Sequence, residues 1–206
     1  MPENAANLFS FERHVTMGAF QLLSDKAQVR MGTHYDRYTI TFGGKADSES
    51  ILNGQFTTSK VDLVKIGDTP LTIGSSFAVV EGSTLTVNAG TLIANQNISG
   101  EQNYTVNIAP GVKLTGSGVF GAVDLSVNDV VVPAAASITD KTADYPILTA
   151  TSFSNIGLSA NLNTLLATLN DGETKGSWKV RRVNNGDGTQ SLVLRFVKKG
   201  FVIIFK

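Results

Sequence analysis

Short strand patterns that recur through the middle of the chain restrict its fold more than any other feature. Leu71-Thr72-Ile73, Leu85-Thr86-Val87, Leu114-Thr115-Gly116 and Leu125-Ser126-Val127 are variations on one stretch. Glycine introduces several of them at a similar offset, as in Gly82-Ser83-Thr84-Leu85, Gly111-Val112-Lys113-Leu114 and Gly121-Ala122-Val123-Asp124-Leu125, with Gly90-Thr91-Leu92 a shorter version. Glycine supplies a backbone conformation that side chains resist, and the leucine after it turns inward. A strand and a turn of this size cannot bury an apolar face alone, and stacking on neighbouring units solves that problem. The successive leucines are 14, 29 and 11 positions apart, which excludes a strict hexapeptide repeat. A loose β-solenoid and an ordinary β-sandwich both fit the pattern.

Alternation at the strand period extends on either side. Tyr38, Ile40 and Phe42 share one face, with Thr39 and Thr41 on the other, before Gly43-Gly44 ends the run. Val61 and Leu63 continue it, then Leu71 and Ile73 after a turn from Gly67 to Pro70, where the missing amide donor of Pro70 suits a turn or strand start. Val130-Val131-Val132-Pro133 closes a strand. Leu158, Leu162, Leu165, Leu166 and Leu169 recur at helical spacing, stopped by Asn170-Asp171-Gly172, and predict the one helix. Trp178 to Val183 and Ser191 to Val197 alternate around Asn184-Asn185-Gly186-Asp187-Gly188 and predict a hairpin. Phe201-Val202-Ile203-Ile204-Phe205 is apolar on both strand faces, which implies burial on both sides or at an interface with another chain. The expected organisation is a solenoid-like region over 1–135 and a capping region over 136–206.

Composition narrows the function classes. Lys plus Arg and Asp plus Glu are 17 each, so there is no basic excess for a nucleic acid partner. The doublets Arg181-Arg182 and Lys198-Lys199 fall in predicted strands and read as solvated faces. Cysteine is absent, which removes disulfides, thiolate nucleophiles and Cys-ligated zinc together. No apolar run approaches the roughly 20 residues of a membrane-spanning helix. Met1-Pro2-Glu3-Asn4 has no basic and apolar leader pattern, so no signal peptide is read there and the chain is expected to continue a longer polypeptide.

Residues 40 to 130 resemble the autotransporter-associated β-strand repeat, also called the passenger-associated transport repeat. The stretches that carry the resemblance are Thr41-Phe42-Gly43-Gly44 with Leu52-Asn53-Gly54-Gln55-Phe56, then Leu63-Val64-Lys65-Ile66-Gly67-Asp68-Thr69-Pro70-Leu71-Thr72-Ile73. Val87-Asn88-Ala89-Gly90-Thr91-Leu92 and Leu114-Thr115-Gly116-Ser117-Gly118-Val119-Phe120-Gly121 follow in the family's order. The chain departs from the pattern at Pro70, where the family has a small residue, and lacks the stretch that usually follows the first Leu-Thr-Leu. The resemblance implies a right-handed β-helix in exported bacterial proteins, secreted or held at the cell surface, in which the repeat is a scaffold without an active site. Self-association, other cell-surface components or glycans are the partners it suggests, and no cofactor is expected.

Candidate chemistry is sparse. His14 and His34 lack a serine in a nucleophile-elbow context, and a base without nucleophile and oxyanion hole makes no site. Asp36, Asp47, Glu49, Asp62 and Asp68 are the carboxylates to weigh for acid–base work on a polysaccharide; strand alternation allows Asp62 and Asp68 to meet on adjacent turns, but turn positions are the preferred reading of all five. The Asn184 to Gly188 stretch is calcium-loop-like in composition but has too few carboxylates. Asn97-Ile98-Ser99 and Asn103-Tyr104-Thr105 match the glycosylation pattern. Tyr35, Tyr38, Phe42, Tyr104, Tyr145 and Trp178 are the aromatics able to stack on a sugar; Trp178 is the candidate platform and the rest read as core. The expectation is an all-β, non-enzymatic scaffold, with a carbohydrate-binding module and a polysaccharide lyase or hydrolase fragment as the competing readings.

Overall fold

The computed structural model describes residues 8–100 and 102–200. Its fold is all-β with one α-helix among the described residues. The chain makes successive passes, the first three of which visit the same three sheets in the same order. The first pass contributes β1 (Leu8–Phe11), β2 (Val15–Thr16) and β3 (Gln21–Leu22). The second contributes β4 (Gln28–Met31), β5 (Arg37–Phe42) and β6 (Ser50–Leu52), and the third β7 (Gln55–Thr57), β8 (Lys60–Lys65) and β9 (Leu71–Ile73). The fourth keeps only an isolated bridge at Ala78 in the first sheet, then β10 (Thr84–Val87) and β11 (Thr91–Ala94). The fifth adds β12 (Thr105–Ile108) and β13 (Lys113–Thr115).

Pairing is parallel between passes, so strands adjacent in sequence never form hairpins here. The sheet orders are β1-β4-β7, then β2-β5-β8-β10-β12, and in the third sheet β3-β6-β9-β11-β13. Contacts such as Asp62 to Thr84 and Asn53 to Ser76 join positions 22 and 23 residues apart. Period-two alternation then places similar residue types in ladders. Ile40, Leu63 and Leu85 are fully buried and consecutive in the second sheet, and Leu71, Leu92 and Leu114 do the same in the third. Phe20, Phe56, Phe77 and Tyr104 form an aromatic ladder with edge-on centroid distances of 5.8, 6.2 and 5.5 Å.

Glycines make the corners. Gly43, Gly67, Gly90 and Gly111 all have positive φ at the bend between the second and third sheets. At Gly67 the requirement is double: φ is +72°, and a Cβ would lie 2.4 Å from the Gly43 carbonyl oxygen of the preceding pass. Lys65, fully buried beside this corner, donates to the carbonyls of Ile66 (2.6 Å) and Gly67 (2.8 Å). Burial pushes its ammonium pKa down, partly opposed by Asp68.

The C-terminal region is built differently. β14 (Val119–Asp124) touches Ile98 by one bridge and pairs in parallel with β16 (Tyr145–Ser154), while β15 (Asp129–Val130) returns to the third sheet beside β13. After the helix α1 (Ala160–Asn170), β17 (Gly176–Asn184) and β18 (Gln190–Lys198) form the expected hairpin, antiparallel to each other, and β18 is also antiparallel to its other neighbour β16. Sequence spacing placed the helix within two residues, but Leu158 stands outside it in a 3₁₀ turn, 64% exposed, while Leu162 and Leu165 are buried. Asp129 ties the helix start to the passes by accepting from Ser159 and from the Asn161 amide (3.1 Å). Asn170 ties its end to β17 through both polar groups of the Trp178 backbone. The regions divided at residue 135 share one core, and β14 pairs across that boundary. The apolar stretch 201–205 lies outside the described residues.

Candidate functional site

Sheet geometry singles out β12. Each of β5, β8 and β10 has a partner on both sides, whereas among the described residues β12 pairs only with β10. The Thr105 amide donates to Ser83 (3.1 Å) and the Ala109 amide to Val87 (2.9 Å), so alternation turns the amide and carbonyl groups of Val106 and Ile108 toward the opposite edge. A cleft of about 630 Å³ lies along that edge. Val106 and Ile108 are only half-buried in its wall, Leu114 and Phe120 form its apolar floor, and Gly121 to Val123 of β14 stand opposite.

The cleft exists because the sixth pass is short. From Leu114 to its partner Val130 is 16 positions (114 to 130), and the only strand in that interval, β14, leaves to join β16. The chain then turns through Ser126, whose amide and hydroxyl both donate to Asp124 (2.9 and 2.8 Å), directly into β15. The second sheet is thus one strand shorter than the third. Asn128 closes one end of the cleft by donating to the Ala109 carbonyl (2.9 Å). Tyr104 lies on the rim, its hydroxyl accepting from Gln96 (3.1 Å); burial raises its phenol pKa, partly offset by that bond.

A second groove, of about 900 Å³, runs beside the glycine corner and brings Asp47, Glu49 and Asp68 together. Among the described residues no three His, Asp or Glu side chains are placed to hold a metal. Asp36 lies elsewhere, exposed before β5. Asp62 also lies elsewhere: it pairs with Arg37 and accepts from Thr84 Oγ1 (2.6 Å), bonds that bind three passes together. The arrangement that strand alternation allowed for Asp62 and Asp68, on adjacent passes, is not the one found: they occupy one pass, Asp62 in β8 and Asp68 in the turn that follows.

The remaining candidates resolve into structural positions. His14 Nδ1 accepts from the Thr39 amide (2.9 Å) with its ring near Tyr35, and His34 is exposed. The candidate sugar platform does not fit its surroundings: Trp178 is 3% exposed, edge-on to Tyr145 (5.9 Å) and Phe196 (5.4 Å), which leaves no ring face for a glycan. Tyr38, Phe42 and Tyr104 are buried, whereas Tyr35 is 51% exposed. In the hairpin loop Asp187 accepts from the amide and hydroxyl of Thr189 (2.9 and 2.6 Å), so its carboxylate closes the turn. Arg182 donates to the Phe153 carbonyl (3.1 Å) rather than joining a basic patch.

Sequence reasoning missed the free edge of β12. The usable signal was the shortened interval from Leu114 to Val130 after spacings near 22, which announces a pass that omits a strand. Comparison of the chain with protein-family models, with curated proteins and with solved structures finds no match.

Proposed function

We propose that this chain is a structural scaffold or stalk segment of an exported bacterial surface protein, folded as a right-handed β-helix with a C-terminal cap. The observation that supports this reading best is the three-sheet parallel stacking, in register over successive passes. Stacked parallel passes favour a β-helix over a sandwich, whose sheets are antiparallel, and parallel crossovers are overwhelmingly right-handed. The repeat-like stretches over 40 to 130 fall on this stack, with Lys65 and Gly67 of the Leu-x-Lys-x-Gly motif forming a corner. Side-chain chemistry supports the same reading: of the carboxylates weighed for catalysis, Asp62 pairs with Arg37 and Thr84 to join passes, and Asp36 stands exposed before β5.

Surface proteolysis of the source cells, read with an antibody to this chain, tests the assignment. The scaffold reading expects the chain to be shaved from intact cells or recovered from the medium, with no polysaccharide cleaved by the purified protein. Retention of the whole pool inside unlysed cells, or a polysaccharide cleaved by the parent and spared by Asp62→Asn or Asp68→Asn, would overturn it. Binding on a glycan array without cleavage would transfer the assignment to a carbohydrate-binding module.

A further inference from the structure

We propose that the free edge of β12 is a strand-acceptor site, and that its occupant is the segment Phe201–Phe205 of a second copy of this chain. The inference is independent of cellular location and stands or falls on chain geometry. The acceptor offers what a strand needs: backbone groups on Val106 and Ile108 without a strand partner among the described residues, a cleft of about 630 Å³, and an apolar floor at Leu114 and Phe120. The donor carries five consecutive large apolar residues, which need cover on both faces.

Sheet register prevents the donor from reaching the cleft of its own chain. Phe120, where β14 enters the cleft, pairs with Ala150, which pairs with Gln190 in β18. β18 then runs to Lys198, and because it is antiparallel to β16 it runs away from the residues Gly121 to Val123 that form the cleft wall. Eight residues at about 3.4 Å each put Lys198 roughly 27 Å from the near end of the cleft. Phe201 is three residues further on and can return by only about 10 Å. A second copy has no such limit. Donor and acceptor are different surfaces, so the contact is heterologous and builds rings or open chains.

Light scattering after size-exclusion chromatography tests this over a concentration series of the full chain. The parent is expected to exceed monomer mass increasingly with concentration. Deletion of 201–206 is expected to return it to monomer mass with an unchanged melting temperature. Ile108→Lys, a charge facing the cleft, is expected to do the same while leaving the tail intact. Because the chain has no cysteine, a mixture of Asn107→Cys and Ile203→Cys proteins is expected to yield the mixed disulfide in excess over either homodimer. A parent that stays monomeric throughout overturns the proposal, as does a deletion whose melt collapses, since the segment then belongs to its own core. Association that persists in Ile108→Lys but is lost on deletion also overturns it, because the tail then docks elsewhere; so does a mixed disulfide no more abundant than the homodimers.

Discussion

The stacked passes and the C-terminal region fill their parts of the shared core by different means. In the passes, each position is held by its equivalent one pass before and after, so Leu63 rests between Ile40 and Leu85, and most of the buried side chains are apolar. In the C-terminal region, a four-stranded mixed sheet and a helix meet once, and many of the joints are carboxylates. Asp124 accepts from Asn155 and Ser126, Asp144 from Arg195, Glu173 from Lys141, and Asp187 from Thr189. Repetition replaces specific polar joints where it is available, and polar joints fix the geometry where the repeat stops.

The largest contrast is expected at two glycines of similar backbone conformation. Gly67→Val places a branched side chain at φ +72° against the neighbouring pass, and loss of the folded state at ordinary temperature is expected. Gly186→Ala, at φ +84° in the open hairpin tip, is expected to cost only about 1 kcal/mol. Equal effects in urea melts would show that the stacking constraint is not real. Next in size come Leu63→Ala and Trp178→Ala, expected to cost about 2–5 and 3–5 kcal/mol respectively. Leu63→Ala is expected to disturb the passes and leave the hairpin's amides protected in hydrogen exchange, whereas Trp178→Ala is expected to do the opposite. Identical exchange patterns would mean the two regions unfold as one.

Acid is expected to separate the regions as well. Hydrogen bonds hold five carboxyls of the C-terminal region below their usual values: Asp124 through Asn155, Asp140 through Thr142, Asp144 through Arg195, Glu173 through Lys141 and Asp187 through Thr189. A depressed folded-state pKa contributes stability above the unfolded value, and that contribution disappears as pH falls through the folded one. Below about pH 4 the hairpin and helix are therefore expected to lose protection before the passes do. Loss of the passes first would reverse the comparison. The smallest effect is a gain: the buried Tyr38 hydroxyl has no partner among the described residues, and Tyr38→Phe is expected to raise stability by about 1 kcal/mol.

Much of this architecture was legible in the sequence, because strand alternation reports burial directly. Tyr38, Ile40 and Phe42 face inward as their spacing required, and the hairpin turned at Asn184 to Gly188. The repeat period was not legible from the leucines compared, since Leu71 and Leu114 belong to the third sheet and Leu85 to the second. Comparing Leu71 with Leu92 and Leu114, or Leu63 with Leu85, restores a steady interval. The pairing of residues remote in sequence, which turned Asp62 into a joint between passes, left no local trace. Neither did the burial of Trp178, because an alternating strand does not say which face a neighbouring strand and helix will cover.

Register between passes is the central claim, and cysteine pairs test it most directly. Thr41 and Val64 are partners on neighbouring parallel strands, whereas Thr39 and Val64 are two residues out of register. Parallel neighbours lie about 4.8 Å apart, inside the disulfide range of roughly 4.4–6.8 Å, and a two-residue offset lengthens the gap to about 8 Å. With no native cysteine to interfere, oxidation of Thr41→Cys/Val64→Cys is expected to form an intramolecular disulfide quickly and almost completely. Thr39→Cys/Val64→Cys is expected to remain reduced under the same conditions. Equal oxidation of the two variants, or disulfide in the second alone, would contradict the stacked parallel register.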